Sequence, residues 1–417
     1  MDKATISKYA KENGTPLLVF NHSQIRKNYA SFARHLPRVK PYYAIKANSE
    51  PAIVRTMLEL GAGFDVASLQ EFQVLESILG QTTLEQKKEF VQQRVIYAHT
   101  VKRQEHLREM AAYCPRVTFD SEAEMLKILQ HAPGARLVLR IAVPNSGSVV
   151  QLSNKFGISL GEALPLLKKT FAAGLAVDGV SFHVGSQCNN FENYRTALES
   201  AARIFGRAEE LGMPLGYLDA SGNRIRLLDI GGGFPVRYNG DEEKFAALAS
   251  KLNSEFDKLF SQRVEIIAEP GRFMVANSGT SVMQVLNKAV RGGKTCYYVD
   301  DGVYHSFSAI LFDHLVPMIK SVKTGDELSS VVFGPTCDGL DTITEKALLP
   351  ELEVGDIVFA RNMGAYTNAS ATYFNGFPPA KTVHFNLQAE EQETSVSVKV
   401  EGEPQIQSIE ARISAEK

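Results

Sequence analysis

"PYYAIKANS" spans residues 41–49. An apolar, aromatic run of this kind reads as a buried strand, yet it carries one lysine, Lys46, near its end. Burial tends to lower a lysine pKa, and a neutral amine is a better nucleophile. The plainer reading is a lysine at a strand end that snorkels to water. The rest of the chain has to decide. Seven more short apolar segments follow before residue 275: "GFDVAS" (63–68), "VIYAHT" (95–100), "VTFDS" (117–121), "RLVLRIA" (136–142), "GVSFHVG" (179–185), "LLDIGGG" (227–233) and "VEIIAEPG" (264–271). Each is nearly continuous in apolar residues, as strands buried on both faces should be. Amphipathic stretches lie between them. "SEPAIVRTMLELGA" (49–62) places Ile53, Met57, Leu58 and Leu60 at helical spacing, and "DSEAEMLKILQHA" (120–132) opens on an Asp-Ser cap. Strand–helix alternation, eight times over, predicts a parallel (β/α)8 barrel.

After about residue 280 the pattern changes. "TSVMQVLNKAV", "KTCYYVDDG", "SSVVFGPTCDG", "VGDIVFARNMGAY" and "KTVHFN" read as strands separated by turns, which predicts an antiparallel β domain. "PLLVF", closing the first 20 residues, could add a strand to the barrel. Residues 82–94 are polar, an exposed loop or helix, and the last part of the polar tail is expected to be poorly ordered. The 417 residues exceed one ordinary core. The expected division is a barrel over 21–278 and a second, β domain made from 1–20 and 279–417.

Composition excludes several classes. Hydrophobic content of 44% and charged content of 22% fit a soluble globular protein. The net charge of −2 offers no footprint for nucleic acid or an anionic membrane. No apolar run approaches the roughly 18 residues of a membrane span, and "MDKATISKYAKENG" has no signal-peptide core. Four cysteines, Cys114, Cys188, Cys296 and Cys337, stand far apart. A reduced, cytoplasmic protein without a metal site is expected.

Function in such a barrel lies at the C-terminal ends of the strands. There the chain carries Lys46, Asp65, His99, Asp120, Arg140, His183, the glycines Gly231, Gly232 and Gly233, and Glu269. Three consecutive glycines let backbone N–H groups approach an anion, although a plain glycine turn reads the same way. "AEPGRF" (268–273) adds Arg272, a fork suited to phosphate. Loops after strands seven and eight are the usual phosphate site of a barrel. Glu269 beside that site calls for a cationic group in the ligand, and a pyridinium nitrogen answers it. An amine, a phosphate cradle and this carboxylate together suggest pyridoxal 5′-phosphate, held by Lys46 as a Schiff base. His183 could stack on the ring and Ser186 could reach the phosphate. A satisfied core histidine is the plainer reading of His183.

With "YYAIKAN", "GFDVAS", "FHVGSQ", "DIGGGFP", "EPGRF", "GPTCDGLD" and "NMGAYT" all present, roughly residues 15–385 resemble the fold type III pyridoxal-phosphate decarboxylases of ornithine, diaminopimelate and arginine. "DDGVYHSFSAILFDH" and "GPTCDGLD" resemble the ornithine branch most. The resemblance implies a TIM barrel with an alanine racemase-like β domain that supplies substrate and dimer contacts. It implies that Lys46 bonds the cofactor, His183 packs on its ring and Glu269 pairs with its pyridine nitrogen. Gly231, Gly232, Gly233, Arg272, Ser186 and Tyr366 would surround the phosphate. Asp65, Glu71 and Arg140 match pocket positions. Cys337 matches a residue that places a proton on the product carbon. Asp313 and Asp338 match the carboxylates that grip the substrate's distal ammonium, and Tyr304 matches the same region. "CDG" would reach into the partner's site, implying an obligate head-to-tail homodimer with two shared sites.

The implied reaction is decarboxylation of a basic L-amino acid, foremost L-ornithine to putrescine and CO2, within polyamine biosynthesis. Lysine or another diamino acid is the alternative substrate. An amino-acid racemase and a non-catalytic cofactor-binding paralogue are rivals of other classes. One departure stands out: His305 follows Tyr304 where the eukaryotic ornithine enzymes have glycine. A bulky side chain there could alter pocket length or add a contact.

Overall fold

The computed structural model describes residues 1–150, 154–236, 242–313 and 315–388. A helix, Lys3–Asn13, and a strand, β1 (Leu17–Asn21), open the chain. The strands β2 (Val39–Ala44), β3 (Gly63–Val66), β4 (Val95–Tyr97), β5 (Arg116–Phe119), β6 (Arg136–Arg140) and β7 (Ala176–Ser181) follow. A short hairpin arm, β8 (Tyr217–Leu218), leads into β9 (Arg224–Asp229), and β10 (Val264–Ala268) completes the set. All but β8 pair in parallel, and β10 closes the barrel by pairing with both β9 and β2. Side chains alternate across a strand, so Tyr42 shares a face with Ala44. Tyr42, Ile96, Val138, Leu227 and Ile267, each from a different strand, pack as one buried cluster inside the barrel.

The strands end sooner than their apolar runs suggest. β7 stops at Ser181, β9 at Asp229 and β10 at Ala268, so His183, the glycine triplet and Glu269 lie in the loops that follow. Local chemistry starts the helices. Ser68 and Ser121 accept the N–H groups of Glu71 and Glu124 and cap Leu69–Leu79 and Glu122–His131. Thr83 and Gln86 form a capping box, and the polar interval 82–94 is accordingly a helix, Leu84–Arg94.

The second sheet contains β11 (Gly279–Arg291), β12 (Lys294–Val299), β13 (Ile319–Ser321), β14 (Leu328–Phe333), β15 (Thr342–Leu349), β16 (Ile357–Arg361) and β17 (Lys381–Phe385). It is mostly antiparallel, but β12–β14 and β1–β17 are parallel pairs. β1 joins this sheet between β11 and β17, not the barrel. The reason is burial on both of its faces: Leu18 and Phe20 pack in the main core, while Leu17 and Val19 pack with Ile6, Val282 and Phe359. The expectation for the polar tail lies outside the described residues. Among those described, no helix is long and apolar enough to cross a membrane.

One buried carboxylate clamps the barrel. Asp178 on β7 accepts hydrogen bonds from Arg116 on β5 (3.0 Å) and from Nη2 of Arg136 on β6 (2.6 Å). Removing one partner of such a buried group leaves the others uncompensated. Asp178→Ala should therefore lose about 3–5 kcal/mol of stability, read from the midpoint of urea unfolding.

Candidate active site

A cavity of about 220 Å3 opens at the C-terminal ends of the barrel strands, lined by residues that include Ala44, Lys46, His183, Gly232, Glu269 and Tyr366. Lys46 stands in the turn Ile45–Ala47 directly after β2. The β2–β3 register sets Ala44 beside Asp65, and the Lys46 amine donates to the Asp65 carboxylate. Asp65 is buried. Burial works against charge on Lys46, but Asp65 and Glu269 outweigh it and hold the amine above the ordinary lysine value. The expected fall in the Lys46 pKa is thus overturned: the sequence shows the apolar strand but not the two acids folded against the amine. Lys102 shows the expected fall, pushed down to about 8 by burial. Its amine is enclosed by the carbonyls of His99 and Thr118 and by Glu124, a structural arrangement.

Glu269 follows β10 and is buried with Asp229, the last residue of β9. Burial, then the charges of Asp229 and Asp65, raise the Glu269 carboxyl well above the ordinary carboxylate range. Burial likewise raises Asp229 to about 6. His183 Nδ1 accepts the Gly185 N–H (3.0 Å). Burial, with Arg140 and Lys46 nearby, holds its imidazole neutral far below the usual value of 6.5.

Arg272 donates to Asp313, and its guanidinium stacks 4.7 Å from the centre of the Tyr366 ring. Tyr366 is pinned by its N–H to the Ala47 carbonyl (2.8 Å), which joins the second sheet's loop to the Lys46 turn. Two glycines allow close packing of the loops around the cavity. A Cβ on Gly271 would lie 2.8 Å from Cβ of Ala47, and one on Gly233, at φ +88°, would lie 2.1 Å from the Gly185 carbonyl oxygen.

Lys46, His183, Ser186, Gly232, Gly233, Glu269, Arg272, Asp313 and Tyr366 thus share one cavity, with Asp65 behind Lys46. Gly231 does not line it; its N–H donates to Asp229 (2.9 Å). Arg140 stands at the end of β6 with its guanidinium over Phe156. Glu71 turns back to accept the Ala67 N–H (2.7 Å). Tyr304, Cys337 and Asp338 lie off the cavity. Tyr304 donates to Asp338 (2.6 Å) and stacks on Phe374, and Cys337 is exposed. His305 also lies off it, buried, with Nε2 3.3 Å from the Phe377 carbonyl oxygen. Asp229 escaped the sequence reading, although a carboxylate at a barrel strand's C-terminal end is itself a signal. Phe234, Phe273 and Phe312, also lining the cavity, carry no signal beyond ordinary apolar residues.

These residues fit pyridoxal 5′-phosphate. Glu269 Oε1 is buried without a hydrogen-bond partner, as a site for a ring N–H requires. Gly232 and Gly233 leave a cradle that side chains would fill, and Lys46 supplies the amine.

Fold and cavity together define a barrel built to hold an anionic, carbonyl-bearing cofactor on a lysine. The chain belongs to the pyridoxal-dependent decarboxylases: residues 22–276 match the family's pyridoxal binding domain. It is 38% identical over 392 residues to the lysine/ornithine decarboxylase of Selenomonas ruminantium, covering 94% of each chain. It is 40% identical over 377 residues to the ornithine decarboxylase of Mus musculus, covering 85% of this chain and 77% of that one. Its fold matches the lysine/ornithine decarboxylase of Vibrio vulnificus complexed with putrescine at a TM-score of 0.82 and 34% identity, over 92% of this chain and 98% of that one.

The depressed His183 value fixes a sign. Below pH 6.5 the unfolded histidine takes up a proton that the folded one refuses. Its contribution to stability is therefore present above pH 6.5 and lost as pH falls from there. Ring NMR of His183 should show a neutral imidazole from pH 8 down to 6 (about, from the ordinary histidine range), whereas a midpoint near 6.5 contradicts the buried setting.

Proposed function

We propose that this chain is a pyridoxal-phosphate-dependent decarboxylase of a basic L-amino acid, with L-ornithine as substrate and putrescine and CO2 as products. One observation carries the reading: Lys46, Glu269 and Arg272 meet in a single cavity. Bound there, the cofactor supplies an electron sink for the pair released when the bond from Cα to the carboxylate breaks. Lys46 is the amine that attaches it. That amine must first shed a proton, and Asp65, hydrogen-bonded to it, is the acceptor at hand. Glu269 holds the proton on the ring nitrogen. The neutral His183 imidazole packs against the ring without adding charge. Gly232, Gly233, Ser186, Arg272 and Tyr366 hold the phosphate, with Arg140 and Glu71 in supporting positions.

Asp313 supports a cationic substrate end: it stands at the cavity wall, and its carboxylate, paired with Arg272 here, is released to a substrate cation once Arg272 turns to the phosphate. A second carboxylate, as in diaminopimelate, would meet it as a like charge. Ornithine and lysine differ by one methylene, worth only about 1–3 kcal/mol of discrimination, so lysine is the competing substrate.

Tyr304, Cys337 and Asp338 act across a head-to-tail dimer in this reading. Cys337 of the partner subunit delivers the proton to Cα, and Asp338 of the partner subunit joins Asp313 at the distal ammonium. Two features support it: this trio lies off its own chain's cavity, and exposed Leu340 and Tyr373 flank it. In this reading residues 21–278 form the cofactor domain, and 1–20 with the described residues from 279 onward supply the substrate and dimer contacts.

Purified, cofactor-loaded protein should release CO2 from L-ornithine in preference to lysine, arginine and diaminopimelate. Silence across that panel removes the substrate assignment. Lys46→Ala should abolish turnover, and Glu269→Gln should lower kcat by about 100-fold or more. Mixing inactive Lys46→Ala with inactive Cys337→Ala subunits should restore about one quarter of wild-type activity if sites are shared between chains. No recovery after subunit exchange would place Cys337 with its own chain's site.

A further inference from the structure

Gln187 has no part in the reading above, although it lines the cavity. It stands in the loop after β7, next to Ser186, with its backbone at φ +54°. That left-handed conformation suits glycine and penalises a residue with a side chain. The side chain is itself engaged. Its Oε1 accepts the Val236 N–H (2.8 Å) and its Nε2 donates to the Val236 carbonyl (3.3 Å). An amide offers an acceptor and a donor at one tip, and the two bonds fix which way it is turned. The next residue, Cys188, donates its N–H to the Gly233 carbonyl (2.9 Å). The loop after β7 therefore grips residues 233–236 at both ends. Among the described residues nothing accepts the N–H groups of Gly232 and Gly233, and both glycines line the cavity.

We propose that Gln187 is a positioning residue for the phosphate cradle: its amide clamps Val236, so that the glycine run is held where the Gly232 and Gly233 N–H groups can meet the phosphate. The run needs such a tie. Glycine is the most permissive residue of the backbone, so three in a row lose the most freedom on ordering. One end of the run is fixed by Asp229, the last residue of β9, whose side chain accepts the Gly231 N–H (2.9 Å). Beyond it, no strand or helix lies between β9 and Val236. There the Phe234 ring packs edge-on against Phe32, 5.1 Å between ring centres, and the Gln187 amide holds the backbone. Glycine at 187 would satisfy the local φ but could not make the clamp. The clamp thus accounts for a side chain kept at an unfavourable φ. The inference rests on the cofactor reading of the site.

The test measures binding of pyridoxal 5′-phosphate, and of pyridoxal, which lacks the phosphate, to wild-type, Gln187→Ala and Gln187→Gly protein. The phosphorus NMR signal of the bound cofactor is a second readout. Both variants should weaken pyridoxal phosphate binding by about 10-fold, the scale of hydrogen bonds lost from a partly exposed site. Both should move the phosphorus signal towards that of free cofactor. Pyridoxal binding should not change. Gln187→Gly separates the clamp from the backbone, since glycine adopts φ +54° without steric cost. Wild-type affinity for pyridoxal phosphate in either variant overturns the proposal, as does an unmoved phosphorus signal. Equal weakening of pyridoxal binding, or failure of a variant to fold, also overturns it, because Gln187 then supports the fold at large. All these outcomes leave the cofactor reading standing. Failure of wild-type protein to bind pyridoxal phosphate overturns both.

Discussion

The ion pair between Lys46 and Asp65 is the interaction on which the site depends. Asp65 is buried at the end of β3, where an unpaired carboxylate would be costly. The amine of Lys46, one strand away, compensates it. The pair fixes the amine at the barrel mouth and keeps it charged until that proton is removed. A lysine held this way is a positioned reagent, and its reactivity is governed by the acids around it more than by burial. Glu269 and Asp229 extend the same group of charges across the mouth, and His183 stays neutral because burial disfavours its charge, with two cations nearby adding to the effect.

The second constraint is the seam between the barrel and the β sheet. Tyr366 reaches the cavity only because its N–H bonds to Ala47, while Asn48 donates to the Gly364 carbonyl (3.0 Å). Glu50 accepts from Asn368 (2.8 Å), and the buried His22 meets His384 of β17 at 2.9 Å. These contacts tie the loop after β16 to the turn that carries Lys46. β1 strengthens the seam by filling both cores at once. The site is therefore a product of both sheets, although its amine and its acids come from the barrel.

Much of this was legible before folding. The alternation of apolar runs and amphipathic stretches predicts the barrel, because the two periods, 2 and 3.6, are local properties. The polar residue closing each run, Lys46, Asp65, His183 or Glu269, points to the mouth because strand direction is shared in a parallel barrel. Strand ends were less legible. An apolar run does not reveal where backbone pairing stops, and β7 and β9 stop short of their motifs. The parallel pairing of β1 with β17 joins segments at opposite ends of the chain, and no local pattern specifies it.

The sequence by itself determined the barrel, the β-rich second region and the set of residue types gathered at the strand ends. Each follows from residues adjacent in the chain or repeated at a fixed spacing. Only the tertiary structure decided which charges meet. Lys46 is held charged by acids that its own strand does not contain, and Arg272 is bound to Asp313, 41 residues away. It also left Cys337 and Asp338 out of the lining of the cavity that holds Lys46, and set Asp229 at the end of the strand next to the one that leads to Glu269. Protonation and access are set by distance and burial, and these exist only once separate segments pack together.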